Sequence, residues 1–261
     1  MQIVKVSKTG NFYKVKFDND EVYKFHESII ISYGFIRSKI EVSKEKLSNA
    51  ILENEYFLAL DKGIKYCYST RCEHEVFLYL LKHYDKEMAK KVVNKLNELK
   101  LINDSEYAKE YVLYAIRKLF GPEKIYVDLK ELNVSSLDIE EALSIYSDEM
   151  ILDSSLKLAD KYIPRLKNDS NERKRIKLRN YLKEHGFSNE IVAITLEKKQ
   201  DLIHNISGDE NLLNREFNKL LKGKKPDMDE RKFKQKVIRS LCGKGFLLQD
   251  VLKLFESGCK L

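Results

Sequence analysis

The feature that most constrains this chain is a helical unit that recurs, imperfectly, four times along the sequence. Each copy ends in a turn followed by an apolar anchor, and the four anchors are Tyr84, Val134, Phe187 and Phe246. The anchors lie 50, 53 and 59 residues apart, a spacing that fits a module of three helices. Repeats of this length bury their apolar stripes against one another. The pattern therefore predicts tandem three-helix repeats that form an elongated, curved array and act by presenting surface to a partner.

A common register of apolar and basic residues supports the repeat. In each of the last three units, an apolar pair lies nine and five residues before the anchor, on one face of a helix. A lysine stands immediately before each pair. The first unit fits this register only when one residue is deleted. We therefore interpret the first unit as a degenerate copy. The three sets are Lys124, Ile125 and Leu129; Lys177, Leu178 and Leu182; and Lys236, Val237 and Leu241.

The N-terminal segment has a different pattern. Three stretches rich in β-branched and aromatic residues, Gln2 to Lys8, Asn11 to Phe17 and Glu21 to His26, are separated by turn signals. They predict a small three-stranded antiparallel sheet. Ser43 is a suitable cap for a helix that extends to Asn54. The overall prediction is a mainly α protein with a small N-terminal α/β module.

These patterns divide the chain into five segments. The N-terminal module is expected over residues 1–54, and the four repeats over 55–103, 104–152, 153–205 and 206–261. Within the repeats, Pro122 stands at the first turn of a helix, where its missing N–H has no cost. Gly186 and Gly245 precede their anchors, at the position that a left-handed C-cap prefers.

The positive charge of the chain is concentrated in its second half. Charged residues make up 34% of the sequence, and the formal net charge is +7. The segment from Ser154 to Leu261 has 25 Lys and Arg against 15 Asp and Glu, whereas the preceding part has a small excess of acidic residues. A basic half of this kind favours a polyanion or an acidic protein surface as the partner.

The sequence has no pattern typical of catalysis. It lacks a Gly-rich phosphate loop after a strand and a nucleophile elbow, and its acidic residues are scattered over helix surfaces. We therefore predict no enzymatic activity and no cofactor. Cys67, Cys72 and His74 have no second ligand pair at zinc-site spacing, so we expect reduced thiols and no metal.

Hydropathy gives no sign of a membrane protein. The sequence shows no signal-like N-terminal run and no window approaching the ~18 apolar residues that span a bilayer. This predicts a cytoplasmic protein without membrane contact.

Two stretches carry a resemblance to a known family. LKLINDSEYAKEYV runs from Leu99 to Val112, and RKLFGPEKIYVDLKELNV runs from Arg117 to Val134. In combination they resemble the RecX family of RecA-recombinase regulators. The family pattern joins a Gly-Leu-hydrophobic-Asp/Asn-Asp phrase, an aromatic-Ala pair, a basic residue and a Gly-Pro that opens a helix. The matching residues are Leu101, Ile102, Asn103, Asp104, Tyr107, Ala108, Lys118, Gly121, Pro122, Lys124, Ile125 and Leu129.

The resemblance implies both a fold and a function. The order of elements matches from residue 56 to about residue 200, and the N-terminal sheet and fourth unit agree with longer members. Lys100 replaces the usual Gly, which weakens one turn. The implied protein is a non-enzymatic regulator that lies in the groove of the RecA filament on single-stranded DNA. There it would bridge protomers and inhibit strand exchange and coprotease activity, and so modulate recombination and the SOS response.

Most of the matching residues are expected to carry the fold. Asp104 is a predicted cap for the helix that starts near Ser105, and Tyr107 and Ala108 are predicted core residues. Partner contact is expected instead from rows of basic residues on exposed helix faces, which repel one another unless an anion lies against them. Ordinary solvated faces are the alternative interpretation. The candidate partner- or DNA-binding residues are Lys124, Lys130, Arg173, Arg175, Lys177, Arg179, Lys183, Lys232, Lys236 and Arg239.

Three functional hypotheses follow. The leading one is a RecA regulator that acts as a monomer on RecA filaments. The second is a protein that binds DNA directly and largely without sequence preference, because two helices joined by a Gly-containing turn also outline a helix-turn-helix. The basic rows are rich in Lys and have few Asn or Gln beside an Arg to read bases, which argues against sequence-specific readout. An enzyme is the third and least supported hypothesis.

Overall fold

The computed structural model describes residues 1–206, 209–223 and 229–256. The chain divides into two compact units. Unit 1 comprises Met1–Tyr107 and Leu132–Ser135, and unit 2 comprises Ala108–Glu131 and Ser136–Leu261. Within the described ranges, no helix combines the length and the apolar character needed to cross a membrane.

Unit 1 begins with the predicted antiparallel sheet, in the order β1-β2-β3. Its strands are β1 (Ile3–Thr9), β2 (Phe12–Phe17) and β3 (Val22–His26). The sheet packs its apolar side on the two helices that follow, so this part of the sequence prediction is confirmed. The core of the module contains Ile3, Val15, Phe17, Phe25, Ile29, Ile30, Phe35, Val42, Leu47 and Ala50.

Helix α1 (Glu27–Tyr33) ends at Gly34 in the left-handed conformation, and Ser43 caps α2 (Lys44–Tyr66) as expected. However, α2 continues well past Asn54, so the boundary expected at residues 54 and 55 lies inside a continuous helix. Asn54 is buried against the sheet, where its side chain accepts from the His26 amide at 2.7 Å and donates to the Lys24 carbonyl at 2.8 Å. One helix therefore belongs both to the N-terminal module and to the first repeat.

The remaining helices follow one another in the predicted three-helix modules, and we call the three helices of a module leading, middle and closing in chain order. The first repeat adds α3 and α4 to the second half of α2, and the third repeat has an additional 3-10 turn (Ile163–Leu166) and a short helix. The mainly α fold with tandem helical repeats is confirmed, while the division into five segments stays a prediction. The helices are α3 (Glu73–Leu81), α4 (Lys86–Glu98), α5 (Asp104–Arg117), α6 (Pro122–Glu131), α7 (Ser136–Leu143), α8 (Asp148–Tyr162), α9 (Asn171–Glu184), α10 (Asn189–Lys198), α11 (Gln200–Asn205), α12 (Asp209–Lys222), α13 (Glu230–Gly243) and α14 (Leu248–Glu256).

The predicted apolar pairs lie in the cores of their repeats. Leu178 and Leu182 belong to the cluster built by α8 to α11, and Val237 and Leu241 belong to the cluster built by α12 to α14. All four side chains are buried. The helical register deduced from the sequence is therefore confirmed for the middle helices of the last two repeats.

Successive repeats in unit 2 meet at glycine turns. The Gly121 amide donates to the His185 carbonyl at 2.7 Å, and the Glu123 amide donates to the Gly186 carbonyl at 3.1 Å. A Cβ atom on Gly186 would lie 2.2 Å from the backbone nitrogen of Lys124. Gly186 also has φ of 84°, which confirms the predicted left-handed conformation. The turn after α9 thus sits directly on the first turn of α6.

The next joint repeats this arrangement. Gly245 has φ of 85°, and a Cβ atom there would lie 2.6 Å from Ser170 Oγ, at the N-terminus of α9. Ser170 Oγ donates to the Lys244 carbonyl at 2.7 Å. The turn between the middle and closing helices of the fourth repeat therefore docks on the middle helix of the third repeat.

The segment before α5 differs from the prediction in its helix cap, and its Lys100 has an unusual backbone conformation. Asn103, rather than Asp104, caps α5 by accepting from the Glu106 amide at 3.2 Å, so the predicted cap is wrong by one residue. Asp104 instead accepts from the amide of Glu73, the first residue of α3, at 2.8 Å. Lys100, which replaces the usual Gly, has φ of 55° in the left-handed region.

Candidate protein and nucleic-acid interface

Helix α9 presents basic residues on two flanks because its third face is buried. Ser170 caps the helix, and Leu178 and Leu182 fix its inward stripe. On a helix with 3.6 residues per turn, positions 173 and 177 then lie on one flank, and positions 175, 179 and 183 lie on the other. The structure distinguishes these two flanks by what they contact.

Arg173 and Lys177 are engaged within the chain. The Arg173 guanidinium donates to the carbonyl of Gly243, the last residue of α13, just before the turn that docks on α9. Lys177 Nζ lies 2.7 Å from a carboxylate oxygen of Asp169. Both residues therefore help to hold the N-terminal end of α9, and their charges are already partly compensated.

The opposite flank consists of Arg175, Arg179 and Lys183, which we call the α9 row. Arg179 and Lys183 are exposed and Arg175 is partly exposed. Among the described residues, none of the three forms an ion pair. Because the row spans two helical turns, it offers three uncompensated positive charges to an external anion.

Helix α13 carries a comparable set, Lys232, Lys236 and Arg239, which we call the α13 row. Asp229 caps this helix, and Phe233 and the predicted apolar pair form its buried stripe. The three basic side chains are exposed and have no ion-pair partner within residues 1–206, 209–223 and 229–256. The two rows lie on the middle helices of adjacent repeats.

The remaining candidates, Lys124 and Lys130, lie on α6. Lys124 Nζ is 3.1 Å from Asp128 and 5.1 Å from the centre of the Phe120 ring, so its charge is compensated within the chain. Lys130 is exposed in the last turn, where a positive charge offsets the helix dipole. The structure therefore separates the six row residues from Lys124, Arg173 and Lys177, which have local contacts, and from Lys130, which lies at a helix C-terminus.

Sequence reasoning missed a buried charge on α9. Lys174 is fully buried, and its Nζ donates to Asn171 Oδ1 at 3.0 Å and to the Ile203 carbonyl at 3.1 Å. Burial lowers the pKa of Lys174, while Asp209 and Asp169 act in the opposite direction. The sequence does contain one sign of this burial. Lys174 lies four residues before Leu178, so it continues the buried stripe of Leu178 and Leu182 by one helical turn.

The fold and these surfaces define a class of protein: a helical-repeat protein with a small N-terminal sheet and exposed basic rows on its middle helices. No family model matches the chain. The chain is nevertheless similar to curated proteins named regulatory protein RecX. The relative from Enterococcus faecalis is 28% identical over 248 residues, which cover 94% of this chain and 92% of the relative. The relative from Lactococcus lactis subsp. cremoris is 28% identical over 262 residues, which cover 96% and 95%.

A solved structure shares the fold. A crystal structure of regulatory protein RecX matches with a TM-score of 0.63 and 24% sequence identity, over 75% of this chain and 98% of that chain. This structure confirms the fold, and the sequence similarity to the two relatives confirms the resemblance of this chain to the RecX family. It extends over nearly the whole sequence, well beyond the two stretches from which it was first deduced.

Proposed function

We propose that this protein is a non-enzymatic regulator of the RecA recombinase. It binds in the groove of RecA filaments on single-stranded DNA, inhibits strand exchange, and so modulates homologous recombination and the SOS response. Similarity to regulatory proteins over most of the chain supports a regulatory role. The observation that carries the proposal is the α9 row, in which three cations over two turns have no ion pair among the described residues.

The repeat architecture supports filament binding. A filament presents the same surface at regular intervals, and a chain of similar repeats can meet several protomers at once. Weak contacts then combine, because each contact raises the effective concentration for the next. We propose that the protein acts in the cytoplasm as a monomer, without cofactor or membrane partner.

The second candidate function is direct, largely non-specific DNA binding, which the α13 row favours. Exposed Lys and Arg on one helix face neutralise phosphates without reading bases. Salt dependence separates the two candidates. Direct DNA binding weakens steeply as counterions compete, whether or not RecA is present. Binding that requires RecA supports the first candidate.

The test is the DNA-dependent ATPase of RecA, measured with the purified protein added at increasing ratios. We expect turnover to fall at substoichiometric ratios, because one bound regulator affects several protomers of a filament. The protein alone is expected to hydrolyse no ATP. Unchanged RecA turnover at a several-fold excess of this protein would contradict the proposal.

A further inference from the structure

A solvent-open groove of about 360 Å³ lies where α8 and α10 of the third repeat meet the start of α6 of the second repeat. We call it the α8/α10 groove. Its apolar lining is aliphatic, and Ile194 remains 39% exposed within it. The rim is acidic, and in the described part of the chain its three carboxylates form no ion pairs. The apolar residues are Ile151, Ile191 and Ile194, and the rim residues are Glu123, Asp148 and Glu190.

The fourth repeat has a groove at the equivalent place, between α12 and α14, with a volume of about 520 Å³. We call it the α12/α14 groove. Asp250 and Lys253 occupy the positions of Ile191 and Ile194, at the same 59-residue offset that separates the anchors. The chemistry of this groove differs, because Asp250 is already paired with Lys253 at 3.2 Å and Asp209 accepts a hydrogen bond from the Asn171 amide. Its apolar residues Leu213 and Phe246 are buried, so the described residues form no open aliphatic floor there.

Helix capping accounts for only part of the arrangement of the α8/α10 groove. The rim carboxylates lie in the first turns of their helices, where negative charge is favourable. This explains why acidic residues occur there, but it does not explain an aliphatic surface left open to solvent beneath them. Ile194 could be a polar residue without any loss of packing on its exposed side. An open aliphatic floor beneath three carboxylates without ion pairs in the described residues points to a ligand for the α8/α10 groove.

The chemistry of the α8/α10 groove selects the ligand class. The carboxylates of the rim repel phosphates, so a nucleic acid backbone is disfavoured. An aliphatic side chain would bury the open isoleucine surface, and an adjacent Lys or Arg would pair with the rim. The basic rows lie on the middle helices, whereas the grooves lie between the leading and closing helices. Protein and DNA can therefore be bound by different helices of the same repeat.

We propose that the α8/α10 groove is a protein-docking site, which takes a partner segment that places an aliphatic side chain beside a lysine or arginine. This inference rests on the proposed function, in which the partner is the recombinase of the filament. It assigns the protein contact to the α8/α10 groove and the phosphate contact to the basic rows.

The test compares two ligands and two groove variants. The ligands are RecA filaments on single-stranded DNA, held by a non-hydrolysable ATP analogue, and a bare fluorescent oligo-dT. The rim variant is Glu123→Gln, Asp148→Asn and Glu190→Gln combined, and the floor variant is Ile194→Ser. The matched controls are Glu131→Gln, Glu140→Gln and Glu197→Gln combined, and Val127→Ser, whose parent residues are exposed elsewhere on unit 2.

We expect both groove variants to bind filaments at least tenfold more weakly than the native protein, with unchanged oligo-dT binding and circular dichroism. Both controls are expected to bind both ligands normally. Native filament affinity in both groove variants would overturn the docking assignment alone. An equal loss of oligo-dT affinity with intact helicity would also overturn it, because the groove would then contact DNA. If the native protein fails to bind filaments, the proposed function itself fails.

Discussion

The Oδ1 atom of Asp209 accepts a hydrogen bond from the backbone amide of Asn171 at 3.0 Å, which joins the first turn of α12 to that of α9. Asp104 contacts the first amide of α3 in the same way. In both cases an acidic residue that begins one repeat caps the middle helix of the repeat before it. At the joint between the second and third repeats, the equivalent acidic residue is Asp148 and the equivalent helix is α6. The first residue of α6 is Pro122, which has no N–H, so Asp148 has no amide donor there. Helix capping therefore contributes directly to the joints between repeats.

The first prediction concerns this shared cap. Asp209→Ala should lower the free energy of unfolding by about 1 kcal/mol more than Asp148→Ala, because both lose an acidic first-turn residue but only Asp209 accepts from a neighbouring helix. Urea unfolding followed by circular dichroism measures the difference. Equal losses in the two variants would show that the contact with Asn171 contributes no stability.

The second prediction concerns the turn before α5. Lys100 has φ of 55°, a conformation that costs a non-glycine residue about 1–2 kcal/mol. Lys100→Gly should therefore raise the free energy of unfolding by up to about 1 kcal/mol, after the greater chain entropy of Gly is subtracted. Lys90→Gly, in the interior of α4, is the control and should cost about 1 kcal/mol. A destabilised Lys100→Gly variant would contradict the account of this turn.

The third prediction concerns the glycine joint. Gly186→Ala should cost about 3 kcal/mol or more, because the new Cβ would meet the backbone of Lys124 and the residue would also be strained at positive φ. Gly10→Ala has a similar positive φ but nothing within 4 Å of the added atom. It should cost only about 1–2 kcal/mol. Similar thermal midpoints for the two variants would mean that the joint tolerates the extra atom.

The fourth prediction is a pH dependence. The ammonium groups of Lys219 and Lys244, each 2.7 Å from Glu216, lower the pKa of that carboxyl from 4.5 to about 2. Because the folded-state pKa is the lower one, this pairing stabilises the protein above about pH 4.5. Its contribution is lost as the pH falls towards 2. Glu216→Gln should reduce the acid sensitivity of unfolding in that window, and an unchanged pH profile would contradict the pairing.

The sequence was sufficient to predict what depends on local periodicity. The β-strands, the apolar stripe of α9 and the left-handed glycines were all predicted from spacing and turn chemistry. The two flanks of α9 were not distinguishable, because Arg173 and Arg179 have the same chemistry in the sequence. The difference between them is that Arg173 donates a hydrogen bond to the carbonyl of Gly243, which is distant in sequence. Which basic residues of α9 are engaged within the chain therefore depends on tertiary contacts.

Other features depend on several segments at once. The buried position of Lys174 requires acceptors from two helices, so a stripe of apolar residues alone did not indicate it. The α8/α10 groove requires three helices to meet, so no single stretch of the sequence indicates it. The continuous α2 was missed because Asn54, a polar residue, is satisfied by the sheet rather than by solvent.

Filament cosedimentation over a range of salt concentrations tests whether the basic rows bind the RecA–DNA filament. The variant combines Arg175→Glu, Arg179→Glu and Lys183→Glu. Its control makes the same charge change at exposed residues outside the rows. The control substitutions are Lys161→Glu, Arg165→Glu and Lys198→Glu.

We expect the row variant to fold normally, because exposed substitutions usually change stability by only about 0.5 kcal/mol each. It should lose filament binding, and any residual binding should have a salt slope smaller by about 3, one unit for each lost phosphate contact. The equivalent reversal of Lys232, Lys236 and Arg239 should behave alike, while the control binds normally. Row variants that melt like the native protein and still sediment with filaments at native concentrations would show that the rows do not bind the filament.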